Sequence, residues 1–484
     1  MPLASLALAS IYALSSGFDP NLPLDRSFTL RNTEPFLLER EHARMADSGT
    51  AMEFIFPRPC KSLLDGSKVC EDPNRLKYLS DDGKEGMGLQ VVAGEEYRSR
   101  DAGAWTSEAG IITSGQKGPV SFGLDARLFT SIAGRATAQS FDREDIDVQD
   151  ANQTGSVSYS SFSRYRGNLN LQTPFGRFTA ARDAAHWGPG VFYNLVFNQD
   201  AVPFNQYVFR TVLGPVSVES MFGDLLIGRT QAGSVENLND RNLFAHRYEL
   251  RLGENTVIGY SEQLILYNQN KSYLFVPIFP LFIAKGFMYE EANNGNLAFD
   301  LSRKIPGIGL VYAEALIDDM ESPTSVFTKD YVQNKWGLMA GVHLVRKISG
   351  FDCGLIAEYS RLEPWVYTHF TPGTSQTANL GNPLGNQQGP NSQGMVAKVY
   401  ARNPQGFYAG LKVEALWKGH DQGSSLEDPS PRNPTQNKVF LDGVSSPDFT
   451  FEPSLAYSIA YFNFSGGGSF GGAVGVWLRV QAGY

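Results

Sequence analysis

The sequence predicts a large antiparallel transmembrane β-barrel, and three observations carry that prediction. Apolar and polar residues alternate with period two in many separate segments, so one face of each segment suits hydrocarbon and the other accepts charge. No run suits a spanning helix: the longest apolar stretches, Leu3 to Leu14 and Tyr273 to Ala284, are each about a dozen residues, and Pro277 and Pro280 break the second. After the N-terminal part, about 400 residues remain, which at roughly 22 per strand with its connection gives ~16–18 strands, ordinary for a barrel and large for a sandwich.

Taken in order, residues 1–17 read as a secretory signal segment: the apolar stretch is followed by Ser15-Ser16-Gly17, although no basic n-region precedes it. Residues 18–84 lack period-two patterning. Thr33-Glu34-Pro35 is a helix opening, with a short helix expected over Phe36 to Met45. This makes 18–84 a small, partly helical element that is periplasmic or plugs the barrel. Cys60 and Cys70 enclose a short polar loop that fits either a disulfide or two thiols, and Cys353 is left over.

The barrel is expected over 85–484. Val120, Phe122, Leu124, Ala126 and Leu128 alternate with Ser121, Gly123, Asp125 and Arg127. The same pattern recurs around Tyr165 to Leu171, Tyr248 to Leu252 and Leu411 to Trp417. Between such strands, Thr371 to Gln393 and Gly419 to Pro447 are rich in Gly, Asn, Pro, Ser and Gln and too long for periplasmic turns, so they are expected as extracellular loops. The last segment alternates without a slip from Val474 to Tyr484, an aromatic end that predicts a signal for outer-membrane assembly.

Composition agrees. Charged residues are 19% and hydrophobic ones 42%, near-soluble values that a barrel shares because only alternate strand residues face lipid. The 49 Gly, 32 Phe and 21 Tyr suit turns, close strand packing and interfacial aromatic girdles. Net charge is -9 with no basic block, which argues against a nucleic-acid partner.

Several motifs tempt an enzymatic reading. Gly466 to Gly471 satisfies both a dinucleotide fingerprint and a nucleophile elbow around Ser469, but each needs a helix next, whereas the final strand follows; a flexible turn is expected. Gly110 to Lys117 misses a phosphate loop, since Gln116 stands where the lysine belongs. The six histidines are scattered, and no metal or cofactor is expected. Glu314 with Asp318-Asp319 is the one compact acidic cluster on an apolar strand; Glu314 is expected to face the lumen while the aspartates end the strand. A hydrolase using Glu314 or Ser469 is the least favoured reading.

Three segments have a composition unusual for anonymous barrel wall. One runs from Gly176-Arg177-Phe178 through His186, Trp187, Gly188, Pro189 and Gly190 to Asn198, Pro203 and Phe204, and is expected to fold inward. The others are Glu358 to His369 and the pair Pro383-Leu384-Gly385 with Gly389-Pro390-Asn391-Ser392. Aromatic faces beside arginine, amide and carboxylate groups suit sugars.

In these segments the chain resembles the capsule-assembly Wzi-like outer-membrane proteins. The resemblance covers roughly 171–392, with Leu22-Pro23-Leu24-Asp25 similar to the family's mature N-terminus. It implies an 18-stranded barrel with a small helical periplasmic part, occluded by inward-folded loops and holding capsular polysaccharide as a non-enzymatic surface lectin. The sugar contacts expected are Trp187, Trp365, Tyr367, His369 and Asn391, with Arg361. The competing expectation is a porin-like channel with a lumen lined by Arg164, Arg166, Arg182 and Glu249, together with Glu314. Either protein is expected as a monomer with outer-membrane lipid, surface polysaccharide and the barrel assembly machinery as partners.

Overall fold

The computed structural model describes residues 76–79, 85–98, 104–133, 147–154, 157–227, 241–269, 271–277, 280–287, 293–371, 373–403, 407–444, 446–459, 462–471 and 474–483. The expected signal segment, the Phe36 to Met45 helix, Cys60, Cys70, Leu22 to Asp25 and Tyr484 lie outside them, as does the side chain of Arg164.

Eighteen antiparallel strands form the wall. In chain order they are β1 (Glu85–Arg98), β2 (Ala104–Lys117), β3 (Val120–Ala133), β4 (Val157–Thr173), β5 (Gly176–Asp183), β6 (Phe204–Leu213), β7 (Val216–Leu225), β8 (Arg241–Leu252) and β9 (Thr256–Tyr267). The second half is β10 (Asn294–Ile305), β11 (Gly309–Asp319), β12 (Lys335–Ile348), β13 (Phe351–Leu362), β14 (Ser392–Arg402), β15 (Phe407–Lys418), β16 (Asp448–Ile459), β17 (Phe462–Ser469) and β18 (Gly475–Gly483). Each strand pairs with the next, and β18 returns to β1 in the register Val92↔Gly483 to Arg98↔Trp477, which closes the sheet. Closure leaves no free edge, the condition for a sheet in hydrocarbon. Among the described residues no helix is long and apolar enough to cross a membrane.

The two ends differ. One carries the tight connections 118–119, 174–175, 214–215 and 349–350, the other the long ones 184–203, 268–293, 320–334, 363–391 and 419–447. Short turns mark the periplasmic end and long loops the cell surface.

Alternation sets the two faces. On β3, Phe122 and Leu128 are exposed while Asp125 and Arg127 are buried; on β18, Val476, Leu478 and Val480 are exposed while Arg479 reaches the inward Glu108 at 2.6 Å. Inside, guanidinium and carboxylate groups neutralise one another. Arg127 bonds Asp125 at 2.7 Å, and Arg247 bonds Asp300 at 2.7 Å and Glu249 at 3.0 Å. Gly259 stands opposite Asp300, where any Cβ would meet its carboxylate at 2.3 Å. Glycine here makes room for the ion pair.

The run Gly466 to Ser469 is strand, not the flexible turn its composition suggests. The Leu478, Trp477 and Phe470 side chains pack over Gly466, Gly467 and Gly468, supplying the contacts that the glycines lack.

Candidate functional site

The centre of the molecule is made by loops. Connection 184–203 turns inward after β5 and 363–391 after β13, and together with wall residues they bury Trp187, Leu195, Phe197, Val366, Tyr367 and Leu384 in one apolar cluster inside the barrel. The inward fold expected of 186–204 is therefore present, and His186, Gly188, Pro189, Gly190, Asn198, Pro203 and Phe204 are all buried in it.

Wall carboxylates hold the first loop by its backbone. Glu358 on β13 accepts hydrogen bonds from the amides of Val191, Phe192 and Tyr193 at 2.5, 2.9 and 3.0 Å, and from the Tyr312 hydroxyl at 2.7 Å. Glu314 on β11 accepts from the Leu195 amide at 2.8 Å, and Glu219 on β7 from the Trp187 indole at 2.9 Å. Gly341, opposite Glu358, leaves space for the Tyr312 ring. A carboxylate that satisfies three amides at once solves the problem of burying irregular backbone. The Tyr193 hydroxyl donates to Glu414 at 2.7 Å, and burial followed by the Glu414 charge pushes that phenol well above its ordinary value, so it stays a donor.

The second loop locks onto the first. The Tyr367 amide donates to Asp318 at 2.8 Å, and its hydroxyl donates to the Leu195 carbonyl at 2.6 Å while accepting from the Asn386 amide at 3.1 Å. Asn198 N–H donates to the Leu384 carbonyl at 2.8 Å. Gly385 sits so close that a Cβ there would lie 2.0 Å from the Leu195 oxygen. The acidic cluster Glu314 and Asp318 thus anchors backbone. Asp319 bonds the Met320 amide at 3.1 Å as the strand ends.

The expected sugar contacts fall into two groups. Trp187 and Tyr367 are 1% and 0% exposed at the centre of the plug, and Asn391, at 0%, bridges Ser424, Asp442 and Leu441 between the last long loops. Trp365 and His369 lie nearer the surface end, 4% and 5% exposed. Trp365 and Tyr367 have φ of +64° and +68°, a left-handed backbone that bulky residues rarely adopt and that costs about 1–3 kcal/mol each. The Trp365 ring packs against Gly423, and its buried indole N–H has no acceptor among the described residues.

Two residues at this end are not among the expected sugar contacts. Phe370 stacks edge-on with His369 at 4.6 Å, and the exposed Arg432 lies over the Phe370 ring at 5.8 Å. Phe370 continues the aromatic block Trp365 to His369, whereas Arg432 sits in a polar loop distant in sequence. Arg361 faces outward at the rim, 3.9 Å over Phe440 and 5.0 Å over Trp336, with Glu363 accepting at 2.7 Å.

The expected lumen lining needs one correction. Arg166 faces inward beside Asp183 at 3.4 Å, and Glu249 and Glu314 face inward as described. Arg182 does not: it pairs in register with Gly167 on the outward face and lies 4.6 Å over the outward Tyr165 ring. Near the loop end, a guanidinium on an aromatic face fits the outer wall.

With the geometry established, comparison with known proteins bears on the fold. No known family matches the chain. No curated protein matches it. Among solved structures, Escherichia coli Wzi, described as a carbohydrate-binding β-barrel involved in group 1 capsule assembly, is 12% identical, covering 81% of this chain and 83% of its own, with a TM-score of 0.50. Pseudomonas aeruginosa OpdK is 10% identical, covering 84% of this chain and all of its own at TM-score 0.47, and OccK8 (OprE) of the same organism is 12% identical over 82% and 97% at 0.44. The chain is a Gram-negative outer-membrane β-barrel. At these identities the likeness speaks to fold alone.

Proposed function

We infer that this barrel is a non-enzymatic, non-conducting surface protein that binds or organises capsular-type polysaccharide. The observation that carries the reading is the moored plug: two long loops fill the wall's interior from β7 to β15, with backbone amides bonded to wall carboxylates, so loop side chains are displayed on a fixed platform at the cell surface. The contact face is the surface end of 363–371 with 419–444. Phe370 supplies an apolar face and Arg432 a bidentate donor, with the buried Trp365 ring packed beneath them against Gly423. His369 packs behind Phe370. Trp187 and Tyr367 support this platform from within rather than touching sugar.

The test is Phe370→Ala with Arg432→Ala, scored by retention of polysaccharide on cells and by heat-modifiable gel mobility for barrel integrity. Loss of retention with normal mobility is expected; retention equal to the parent would remove this face from the function. In planar bilayers the parent should show no steady channel conductance. A large, steady conductance would replace the reading with a small-solute channel.

A further inference from the structure

In the connection between β9 and β10, residues 271–277 and 280–287 fold in the opposite direction from the plug, onto the outside of the wall. Its described part contains a 3₁₀ turn, Ser272–Phe275, and a short helix α1, Leu281–Phe287. Leu274 and Leu281 are buried against Phe244, Leu264 and Leu266, with Phe222 and Ala284 alongside. On β8, Leu250 and Leu252 share the even-numbered, outward face with Phe244 and are exposed, so this contact lies on the barrel's exterior.

Beneath the segment the outer wall is polar where lipid-facing positions are elsewhere apolar. His246 and Glu262 occupy outward positions and face each other across the β8–β9 ladder at 3.1 Å, yet are 0% and 1% exposed. They are spent on the segment's backbone. His246 Nε2 bonds the Leu274 carbonyl at 2.8 Å, the Tyr248 hydroxyl donates to the Pro277 carbonyl at 2.7 Å, and the Phe282 amide donates to Glu262 at 3.3 Å. Tyr260 donates its hydroxyl to the same Glu262 carboxylate at 3.1 Å.

Depth follows from strand geometry. At about 3.3 Å per residue and about 40° of tilt, His246 lies ~15 Å above the turn end of β8, inside an apolar band about 25 Å tall. Irregular backbone does not survive in hydrocarbon unless its polar groups are satisfied. Here His246, Tyr248 and Glu262 bond the segment's backbone, and Tyr260 holds the Glu262 carboxylate in place. Among the described side chains of 273–277 and 281–284, those turned away from the wall are apolar or aromatic: Tyr273, Val276 and Ile283 are 51%, 43% and 59% exposed, beside the exposed Phe299 and Leu301 on neighbouring β10.

We propose that 273–277 and 281–287 form a membrane-embedded flap, lying along the outer wall at the level of the lipid chains and presenting Tyr273, Val276 and Ile283 to the acyl hydrocarbon of outer-membrane lipid. Its occupant is lipid because the exposed groups are apolar, the bonded carbonyls and amide are turned to the wall, and the surface continues the lipid-facing belt. The polar quartet His246, Tyr248, Tyr260 and Glu262 is its mooring.

The test uses the full chain with Cys60, Cys70 and Cys353 replaced by serine and a fluorophore on Ile283→Cys, with Leu301→Cys as a belt control and Val439→Cys as a loop control, in phosphatidylcholine vesicles. Nitroxide on the acyl chains should quench the Ile283 label as it does the Leu301 label, while aqueous iodide reaches only Val439. Iodide access to the Ile283 label equal to that of Val439 would overturn the proposal, as would protection from both quenchers with disulfide-linked dimers, which would mean that a second copy covers the flap. Adding His246→Phe and Glu262→Leu, which keeps the wall apolar, should restore iodide access. A label that stays buried in lipid would remove the mooring role.

Discussion

At the scale of single residues, Glu358 decides whether 184–203 stays seated inside the barrel. Glu358→Ala leaves three buried amides and the Tyr312 hydroxyl without an acceptor, at about 1–3 kcal/mol for each orphaned donor. Combined with Glu314→Ala it should release 184–203, so single-channel conductance rises well above the parent while heat-modifiable mobility is kept; unchanged conductance would mean that the loop stays docked by apolar burial alone. Gly385→Val should act in the same direction, because its side chain would enter the space of the Leu195 oxygen and the Tyr367 hydroxyl. A pH effect belongs here too. The raised Tyr193 phenol contributes its bond to Glu414 fully below the ordinary tyrosine value near 10, and that contribution is lost only as pH climbs through the raised folded value. The Tyr193 contribution should therefore be flat from about pH 6 to about pH 9, so that Tyr193→Phe changes conductance by the same factor at both ends of that range. The residues that hold the plug were only partly legible in the sequence. Glu314 could be assigned to the lumen from its place in an alternating strand, but its true partner, the Leu195 amide, is a backbone atom far away in the chain and leaves no mark on composition.

At the scale of elements, alternation dictates tolerance. Leu128 is 67% exposed on the outward face of β3, and Leu128→Arg should cost about 2–4 kcal/mol near the bilayer midplane. Leu128→Phe should be close to neutral, and denaturant unfolding of the folded protein in lipid vesicles distinguishes the two. This periodicity is why the wall was readable: side chains on one face see one solvent, and the sequence repeats that fact every second residue. The same reasoning failed at Arg182, because at the loop end the outward face accepts a guanidinium resting on Tyr165, so charge no longer marks the lumen. It also failed for 273–277 and 281–287. There the wall under the flap carries His246 and Glu262 on an outward face, a departure visible only once the strand register is fixed.

At the scale of the whole molecule, the aromatic blocks that resemble a sugar-binding surface divide into interior and exterior parts. Trp187 and Tyr367 went inward since only a filled lumen can bury them, and Phe370 with Arg432 was left at the surface. Sequence composition names aromatics without saying which side of the barrel's mouth each one takes. One prediction follows at this scale. Tyr367→Ala should weaken polysaccharide retention together with closure, raising conductance, whereas Phe370→Ala with Arg432→Ala should reduce retention with conductance unchanged. A Phe370 and Arg432 variant that conducts would show that the two properties are not separable.

The mooring of 184–203 also has a consequence in time. The amides of 191–193 wait for Glu358, a residue 165 to 167 positions later, and Leu195 waits for Glu314, 119 positions later. Contacts of such long range form late. A chain added strand by strand must pass β13 before this loop can be moored, so at every earlier stage of its construction the backbone of 191–193 is still waiting for the carboxylate that will hold it.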